Sequence, residues 1–542
     1  MSLKLIGNQW RINREKCQAW NGSRSPCRAA CPADLDVPRY VNLIAEGRYR
    51  EALEVIMERM PFPSICGRVC HHPCESECTR SRIDQPIAIR DLKRFVADRY
   101  LDELPRERFE PKRSEKVAVV GAGPAGLTAA YDLLRIGYRV TVFEASQRPG
   151  GMLTNCLPDY RIPREVAEKE IQRVVDAGIE LRTGTSVSDV GKLLDEGFGA
   201  VLVAIGAQKP RRIELEGMDA EGVLYGLTFL RDVKSGKVVE LGEKVIVIGG
   251  GNVAVDCAQT AVRLGAREVY MVCLESREEM PAHPWQLEEA LEEGVKLIPS
   301  RGPKRILTRD SRVVGLETIV CTCVFDSEGN FRPQFEENTE STLEADTIII
   351  AVGQETDFSG FEKLEKTPMK TFRVNEETLE TSVPGVFAAG DCVNGPASFV
   401  EAVQTGHMAA ESIDRYLRGE DLLQGRREVM NKPLELWPVP RGVIRKNRQP
   451  MPVLEPEERK KNFKEINLGY SEESAVKEAG RCLNCAVCGY CIENFGCIAI
   501  IWTDAPDLPE RPPEIDLALC VGCGVCSQIC PHKAIEEIKQ GG

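Results

Sequence analysis

Several features of secreted, membrane and nucleic-acid-binding proteins are missing from this sequence. The 542-residue chain starts without the apolar stretch of a secretory signal, so we expect no export. No uninterrupted apolar run is long enough to cross a bilayer. An excess of basic residues is also lacking, and the net charge of −13 argues against general nucleic-acid binding. We expect a cytoplasmic protein without a membrane span or a nucleic-acid partner.

The lack of an export signal decides how the 22 cysteines are interpreted. Disulfides are rare in a reducing compartment, whereas metal binding by cysteine is common there. Most of the cysteines fall into two groups near the ends of the chain. The N-terminal group contains Cys17, Cys27, Cys31, Cys66, Cys70, Cys74 and Cys78, and the C-terminal group contains Cys482, Cys485, Cys488, Cys491, Cys497, Cys520, Cys523, Cys526 and Cys530. We therefore predict metal binding and not disulfide pairing.

The C-terminal group has the cysteine spacing of a bacterial ferredoxin. "CVGCGVCSQICP" follows the pattern C-x2-C-x2-C-x3-C-P, in which the fourth cysteine binds the other of two clusters. A crossed assignment gives one [4Fe–4S] cluster to Cys485, Cys488, Cys491 and Cys530, and a second to Cys497, Cys520, Cys523 and Cys526. Cys482 is left over, although a register one step earlier would include it. Zinc is the alternative, but zinc sites use paired C-x2-C units and not triple repeats followed by Cys-Pro.

A glycine-rich motif in residues 116–146, "KVAVVGAGPAGLTAAYDLLRIGYRVTVFEAS", predicts a first dinucleotide-binding fold. The stretch has the order strand, glycine turn, helix, strand, and Glu144 ends the second strand, where a carboxylate accepts hydrogen bonds from a ribose. "QRPGGML" follows, as expected where the backbone passes a flavin. Farther along, "AAGDC" places Asp391 after an apolar strand and before a helix, which closes a discontinuous FAD domain. The predicted FAD-binding residues are Gly121, Gly123, Pro124, Ala125, Gly126, Glu144, Gly150, Gly151, Leu153, Gly206, Gly390 and Asp391.

The same motif recurs in residues 244–275, "KVIVIGGGNVAVDCAQTAVRLGAREVYMVCLE", and predicts a second dinucleotide site. Its predicted binding residues are Gly249, Gly251, Asn252, Val253 and Glu275. A carboxylate at position 275 accepts hydrogen bonds from a free ribose 2′-hydroxyl and repels a 2′-phosphate, which favours NAD(H). Arg277 lies close enough in sequence to weaken that preference.

Residues 20–415 resemble the small subunit of glutamate synthase and its relatives, which include part of dihydropyrimidine dehydrogenase and NADH-dependent ferredoxin oxidoreductases. The resemblance is carried by "CGRVCHHPCESEC", "GAGPAGL", "GGGNVAVD", "SREEMPA" and "AAGDC". It implies a flavoprotein that binds FAD and NAD(P) and carries N-terminal iron–sulfur clusters. The expected fold is α/β, with two nested Rossmann-like domains, an α-helical N-terminal iron–sulfur domain and a C-terminal bacterial ferredoxin-like domain. The expected boundaries are 1–110 for the helical domain, 111–210 plus 345–420 for FAD, 211–344 for NAD(H), 421–475 for a surface linker, and 476–542 for the ferredoxin-like domain.

The N-terminal cysteines depart from the pattern of that family, in which an early C-x2-C pair is usual. Cys27, Cys31, Cys70, Cys74 and Cys78 are the best candidate ligands for one or two [4Fe–4S] clusters, and Cys17 and Cys66 are further candidates. In dihydropyrimidine dehydrogenase a side-chain amide completes one cluster, but the matching residue here is Lys93, whose cation cannot act as a ligand. Pro73 argues against one continuous helix through the cysteines at positions 66–78. His71 and His72 are not expected to be ligands because cysteines are plentiful.

The combination of sites predicts an enzyme that transfers electrons. Nicotinamide gives up two electrons as a hydride, each cluster accepts one, and a flavin can do both. Hydride transfer to a flavin needs positioning and no acid or base, so no catalytic side chain is predicted. We predict an FAD-dependent NAD(P)H:acceptor oxidoreductase, or its NAD-linked subunit, which exchanges electrons with ferredoxin or a partner subunit in a hetero-oligomer. The alternatives are a glutamate synthase small subunit and a non-enzymatic iron–sulfur redox sensor.

Overall fold

Two parallel five-stranded sheets form the centre of the molecule. The computed structural model describes residues 10–12, 25–424, 443–485, 496–502, 513–530 and 534–538. The strands of the first sheet, in spatial order, are Val386–Ala388, Ala200–Val203, Lys116–Val120, Arg139–Phe143 and Glu180–Arg182. Its central strands are short runs of buried Val, Ala and Leu, as expected for a parallel sheet covered on both faces. Because the strand Val386–Ala388 comes from far along the chain, this FAD sheet is built from two separate segments.

The second sheet lies between those two segments in the sequence. In spatial order its strands are Lys296–Ile298, Glu268–Val272, Lys244–Ile248, Thr347–Ile350 and Val223–Tyr225. The chain enters and leaves this unit through a short antiparallel pair, Lys209–Pro210 with Gln354–Glu355. Four antiparallel strands, Arg301–Arg309, Arg312–Phe325, Phe331–Phe335 and Ser341–Glu344, extend the unit on one side. The prediction that the second dinucleotide fold is inserted within the first is confirmed.

Helices cover both sheets. The helix Pro124–Ile136 follows the first glycine turn and packs against Phe399–Leu417, the longest described helix. The helix Asn252–Arg263 follows the second glycine turn. The remaining helices of these two units are Met152–Asn155, Arg164–Asp176, Val190–Asp195, Gly226–Ser235, Pro284–Glu292 and Asp391–Asn394.

Short helices form the N-terminal unit and carry its cysteines. They are Pro26–Ala29, Val37–Ala45, Tyr49–Met57, Pro63–Val69, Pro73–Ser76 and Ile89–Tyr100. A helix ends at Val69 and the next begins at Pro73, which confirms that residues 66–78 are not one continuous helix. The cysteines at positions 66–78 therefore do not form one continuous helix face.

The C-terminal part of the chain departs from the predicted organisation. Residues 443–485 were expected to lie mostly in a surface linker, but they pack against the N-terminal helices and include the helices Pro456–Arg459 and Glu472–Ala479. The strand Trp10–Ile12 was expected in the N-terminal domain, but it pairs with Ile535–Glu537 near the other end of the chain. The ferredoxin-like unit also contains the strands Ile500–Trp502 and Pro513–Ile515 and the helix Val525–Ile529. Within the described ranges, no helix has the length and apolar character needed to cross a membrane.

Candidate functional site

The first glycine turn forms a tight cradle at the end of the FAD sheet. Gly121 has φ of +107°, and a Cβ atom there would lie 2.3 Å from the carbonyl oxygen of Ala204. A Cβ at Gly126 would lie 2.1 Å from the carbonyl oxygen of Gly121, so the helix can approach the strand only without a side chain. Gly123 has open space at the corresponding position, and it begins a helix whose N-terminus favours an anion. These three glycines have the geometry that a bound pyrophosphate requires.

Glu144 is held beside this turn by its own hydrogen bonds. The buried carboxylate accepts from the backbone N–H of Ala122 at 2.8 Å and from that of Ser146 at 2.8 Å. These bonds fix the carboxylate at the end of the strand Arg139–Phe143, where a ribose hydroxyl can reach it. The predicted position of Glu144 is thus reproduced, and its ribose contact remains a prediction.

Asp391 approaches the same space from the returning segment. It begins the helix Asp391–Asn394, and burial raises the pKa of its carboxyl to about 7. The preceding Gly390 donates its backbone N–H to Thr405 Oγ1 at 3.0 Å, which anchors the turn. Asp391 already accepts from the backbone N–H of Ala397 at 3.3 Å. A carboxylate has further acceptor positions, to which the hydroxyls of a flavin side chain can donate.

The second glycine turn has the same construction. Gly249 has φ of +143°, and a Cβ there would lie 2.3 Å from the carbonyl oxygen of Ala351. Glu275 Oε2 lies 2.7 Å from the Cβ position of Gly250, so the carboxylate stands over the turn. Asn252 accepts a hydrogen bond from the backbone N–H of His283 at 2.9 Å. The carboxylate therefore lies where the sequence predicted a contact with the ribose of the second nucleotide.

A cleft of about 1130 Å³ runs along the first glycine turn and reaches the second unit at Asn252 and His283, but Gly249, Gly251, Val253 and Glu275 are not part of its lining. Its walls include Gly121, Glu144 and Asp391 from the FAD unit and Asn252 from the second unit. Other predicted residues in the wall are Gly123, Pro124, Ala125, Gly151, Leu153, Gly206 and Gly390. The volume and the mixed lining fit a large dinucleotide cofactor.

One set of cysteines lies behind this cleft in the N-terminal unit. Burial raises the pKa of the Cys31 and Cys74 thiols, and both interact electrostatically with Cys70. Cys70 and Cys66 share a hydrogen bond that lowers the pKa of Cys70 to about 5. We call Cys31, Cys66, Cys70 and Cys74 the inner cysteine set. Cys66, which was a further candidate ligand in the sequence, belongs to this inner set.

Lys93 contacts this inner set directly. Its ammonium donates to Cys66 Sγ at 2.8 Å, and the side chain is buried. Burial alone would lower the pKa of Lys93, but the neighbouring Cys66 and Cys70 raise it. The lysine at the position of the family's ligand amide is therefore a charged neighbour of the thiolates.

A second set of cysteines combines the N-terminal unit with the C-terminal part of the chain. Cys27, Cys78, Cys482 and Cys485 line one small cavity, and burial followed by interactions with Cys482, Cys78 and Cys485 raises the pKa of Cys27. We call these four residues the outer cysteine set. The sequence grouped Cys485 with Cys488, Cys491 and Cys530, but Cys485 Sγ lies 3.4 Å from Thr79 Oγ1 in the N-terminal unit. The ferredoxin grouping of Cys485 stays a prediction, and the segment before Cys485 packs on the N-terminal helices.

A third set of cysteines lies in the ferredoxin-like unit. Burial, followed by interactions with Cys497, Cys520 and Cys523, raises the pKa of Cys526. These four residues form the group that the crossed ferredoxin pattern assigned to one cluster. Cys530 is buried, and its sulfur accepts from the backbone N–H of Ala534 at 3.3 Å. Cys17, Cys488 and Cys491 lie outside the described residues.

The chemistry of these sets fits iron–sulfur clusters. Among the described residues, no three Cys, His, Asp or Glu side chains converge as ligands of one metal ion. A cubane needs a different arrangement, since each thiolate binds a separate iron at its own corner. The Tyr40 hydroxyl is buried and lacks a hydrogen-bond partner in the described part of the chain. It interacts with cysteines of both the inner and outer sets, and cluster or thiolate sulfur would satisfy it.

An aromatic stack links the inner set to the cleft, and sequence reasoning missed it. His71 lines the cleft directly after Cys70, and its ring lies 5.6 Å from that of His283. His283 stacks on Trp285 at 4.5 Å. Burial lowers the pKa of His283 to about 4, so this imidazole is neutral at physiological pH. The signal in the sequence was the pair "HHP" and "HPW", but only the fold shows that the two segments meet.

Three family matches agree with this architecture. Residues 115–406 match the family described as pyridine nucleotide-disulphide oxidoreductase. Residues 9–104 match the dihydropyrimidine dehydrogenase domain II, 4Fe-4S cluster, and residues 513–536 match a 4Fe-4S binding domain. Among solved structures, Mycobacterium tuberculosis FprA in complex with NADPH has a TM-score of 0.50 and 17% identity, covering 57% of this chain and 85% of that chain. This last match shows the fold alone.

Curated relatives include subunits of several redox enzymes. The NADP(+)-dependent formate dehydrogenase subunit beta of Moorella thermoacetica is 38% identical over 502 residues, covering 85% of this chain and 70% of that protein. The NADPH-Fe(3+) oxidoreductase subunit beta of Geobacter sulfurreducens is 35% identical over 508 residues, covering 85% and 75%. The glutamate synthase (NADPH) small chain of Bacillus subtilis is 32% identical over 437 residues, covering 73% and 87%.

These findings confirm the predicted resemblance, the fold class and the cofactor classes FAD, NAD(P) and 4Fe–4S. The glutamate synthase alternative is not favoured, since two of the relatives cited match more of this chain than that small chain does. The chain belongs to the pyridine nucleotide-disulphide oxidoreductase family and is an FAD-dependent NAD(P)H oxidoreductase that transfers electrons through 4Fe–4S domains.

Proposed function

We propose that this chain is the pyridine-nucleotide subunit of a hetero-oligomeric redox complex and exchanges electrons between NAD(H) and ferredoxin or a partner subunit. Two of its relatives are named as beta subunits, one of a formate dehydrogenase and one of an Fe(3+) oxidoreductase. Their names support a role as one part of a larger assembly. The redox substrate named beside the nucleotide differs between the two, formate in one and Fe(3+) in the other, which supports a partner subunit as its binding site.

The observation that carries this proposal is the lining of the cleft. The same wall contains Glu144 of the FAD unit, Asn252 of the second unit and His71 beside the inner cysteine set. A flavin bound there would supply the chemistry that joins hydride transfer from nicotinamide to one-electron transfer to iron–sulfur clusters. Residues of the FAD unit, residues of the second unit and a neighbour of the inner cysteine set thus line one cavity.

The protein's own residues position the groups and perform no acid–base step. Gly121 and Gly249 let the backbone approach two pyrophosphates, and Glu144 and Glu275 offer carboxylates to two riboses. The second unit is held in place by Arg161, which bonds Asp256 at 3.0 Å across the boundary between the units. Hydride transfer depends on this kind of fixed geometry.

Glu275 supports the choice of NAD(H) over NADP(H). Its carboxylate is partly buried over the second glycine turn, whereas Arg277 is exposed. A carboxylate at this place repels a 2′-phosphate. The relatives named above use NADP(H), so this preference would distinguish the present chain from them.

An anaerobic assay of the full chain tests the proposal. With NADH and a viologen dye we expect continuous dye reduction, and we expect a lower rate with NADPH. A redox sensor would give no turnover with either nucleotide. Ferredoxin added in place of the dye then distinguishes a direct ferredoxin reductase from a subunit that delivers electrons only to its partner.

A further inference from the structure

The outer cysteine set is assembled from segments about four hundred positions apart. Cys27 lies in the first helix of the N-terminal unit, and Cys78 follows the helix Pro73–Ser76. Cys482 and Cys485 come after the helix Glu472–Ala479. All four side chains line the same small cavity, whose other walls are largely apolar residues such as Val41 and Ile89.

A buried ionic network fixes the position of Cys482. Arg481 is 1% exposed and bonds Asp84 at 2.9 Å and Glu478 at 2.6 Å. Glu478 also accepts from the backbone N–H of Ala88 at 2.9 Å. In return, Arg80 donates to the backbone carbonyl of Arg481 at 3.0 Å. Moving the segment around Arg481 away from the N-terminal unit would leave buried charges unpaired, which costs free energy. The segment is therefore held against that unit.

Cys485 is placed by a separate contact. Its sulfur lies 3.4 Å from Thr79 Oγ1, next to Cys78 in the chain. Cys482 accepts from the backbone N–H of Asn484 at 3.4 Å, the kind of N–H···S contact that stabilises a thiolate. The pair Cys482 and Cys485 has C-x2-C spacing. This C-x2-C pair therefore lies against the N-terminal unit, whose own sequence has no such pair.

We infer that Cys27, Cys78, Cys482 and Cys485 hold one [4Fe–4S] cluster, and that the inner set of Cys31, Cys66, Cys70 and Cys74 holds another. Four thiols, one buried and three partly buried, line one largely apolar cavity, and four thiolates are the donor set of a cubane. The C-terminal segment thus completes a site of the N-terminal domain. This inference rests on the cofactor class of the proposed function but not on the identity of the electron acceptor.

Paired cysteine variants test the assignment through metal content. Cys27→Ser and Cys482→Ser should each lose about four irons and four sulfides, and the double variant should lose the same number, because one cubane is removed in every case. FAD content reports whether each variant is folded. Cys323→Ser is the matched control, since this cysteine is exposed on the strand Arg312–Phe325, and it should keep all its iron.

The EPR spectrum of the reduced protein supplies a second readout. The signal missing from Cys27→Ser should be the one missing from Cys482→Ser. Full iron in Cys482→Ser, or a loss of about eight irons in the double variant, would overturn the assignment. Neither readout involves an acceptor, so a failure here is separable from a failure of the proposed function.

A measurement on the unmodified chain covers the case in which these variants do not fold. During stepwise iron removal by a chelator, alkylation followed by mass spectrometry should label Cys27, Cys78, Cys482 and Cys485 together. Cys323 should be labelled at once. Labelling of Cys485 together with Cys530, and not with Cys27, would restore the ferredoxin assignment and overturn ours.

Discussion

At the scale of single residues, Lys93 replaces the ligand amide of the family pattern and contacts a cysteine sulfur instead. Its ammonium is buried and donates to Cys66 at 2.8 Å. A cation cannot replace a ligand amide, and here Cys66 takes the ligand's place. A buried positive charge beside thiolates stabilises extra negative charge, which is what reduction of a cluster adds.

We predict that Lys93→Met lowers the midpoint potential of the inner cluster. The loss of one charge-assisted hydrogen bond corresponds to at least about 1.4 kcal/mol, or about 60 mV for one electron. Redox titration followed by EPR measures the shift, and Lys93→Arg should retain most of the wild-type potential. Equal potentials in the methionine variant and the wild type would show that Lys93 does not act on the cluster.

A second residue-scale prediction concerns Glu275. Glu275→Gln removes the charge that repels a 2′-phosphate while keeping a hydrogen-bonding group over Gly250. We expect the ratio of kcat/KM for NADH to that for NADPH to fall by about tenfold, equivalent to about 1.4 kcal/mol. Steady-state viologen reduction measures both constants. An unchanged ratio would mean that Arg277 or another group sets the preference.

At the scale of helices and strands, a buried carboxylate is one of the groups that join the cysteine unit to the flavin unit. Glu170 lies in the helix Arg164–Asp176 and accepts from the backbone N–H groups of Ser64 and Ile65 at 2.6 and 2.7 Å. These groups begin the helix Pro63–Val69, which carries Cys66. Burial raises the pKa of Glu170 to about 7, because the two N–H groups only partly offset the loss of water.

The raised pKa of Glu170 predicts a pH dependence of stability. The usual pKa of a glutamic acid side chain is 4.5, whereas the pKa of Glu170 in the folded protein is about 7, so the folded state holds the proton more tightly than the unfolded state. The stabilisation of the folded state that comes from this tighter proton binding is fully present below pH 4.5 and is lost as the pH rises to about 7. It amounts to about 3 kcal/mol across that window. Glu170→Gln should lack this decline. Thermal unfolding of both proteins between pH 4.5 and 8 measures it, and parallel profiles would contradict the assignment.

The elements of the two dinucleotide folds were predictable from sequence, and the grouping of the cysteines was only partly so. Gly121 and Gly249 are required by local geometry, so a short motif identifies them. The set around Cys526 follows from local spacing as well. Cys482 and Cys485 are different, because their partners are set by Arg481, Asp84 and Glu478 through long-range packing. Periodicity within one segment carries no information about such contacts.

At the scale of the whole molecule, the two ends of the chain are interleaved. The strand Trp10–Ile12 pairs with Ile535–Glu537, and Trp10 Nε1 donates to the carbonyl of Gly522 at 3.5 Å. The segment 443–485 packs on the N-terminal helices. The ferredoxin-like part therefore pairs with residues from the start of the chain, and the segment before it packs on the N-terminal helices.

Two truncated chains test whether the segment with Cys482 and Cys485 holds a cluster. A chain ending at residue 487 keeps Cys482 and Cys485, whereas a chain ending at residue 479 loses them. We expect both to retain FAD and to be reduced by NADH, since the cleft is intact in each. The longer chain should contain about four more irons, one cubane, by chemical analysis. Equal iron in the two chains would mean that residues 480–487 hold no cluster.

The central claim is that one cleft connects nicotinamide, flavin and the N-terminal cysteine sets. Its most direct test is rapid anaerobic mixing of the full chain with NADH, followed by flavin absorbance and by EPR of freeze-quenched samples. The account predicts that the flavin band bleaches first and that EPR signals of reduced clusters then appear without any added acceptor. In Cys31→Ser the inner-cluster signal should be missing while the flavin still bleaches. Bleaching of the flavin in the wild type with no cluster signal at any time would contradict the account.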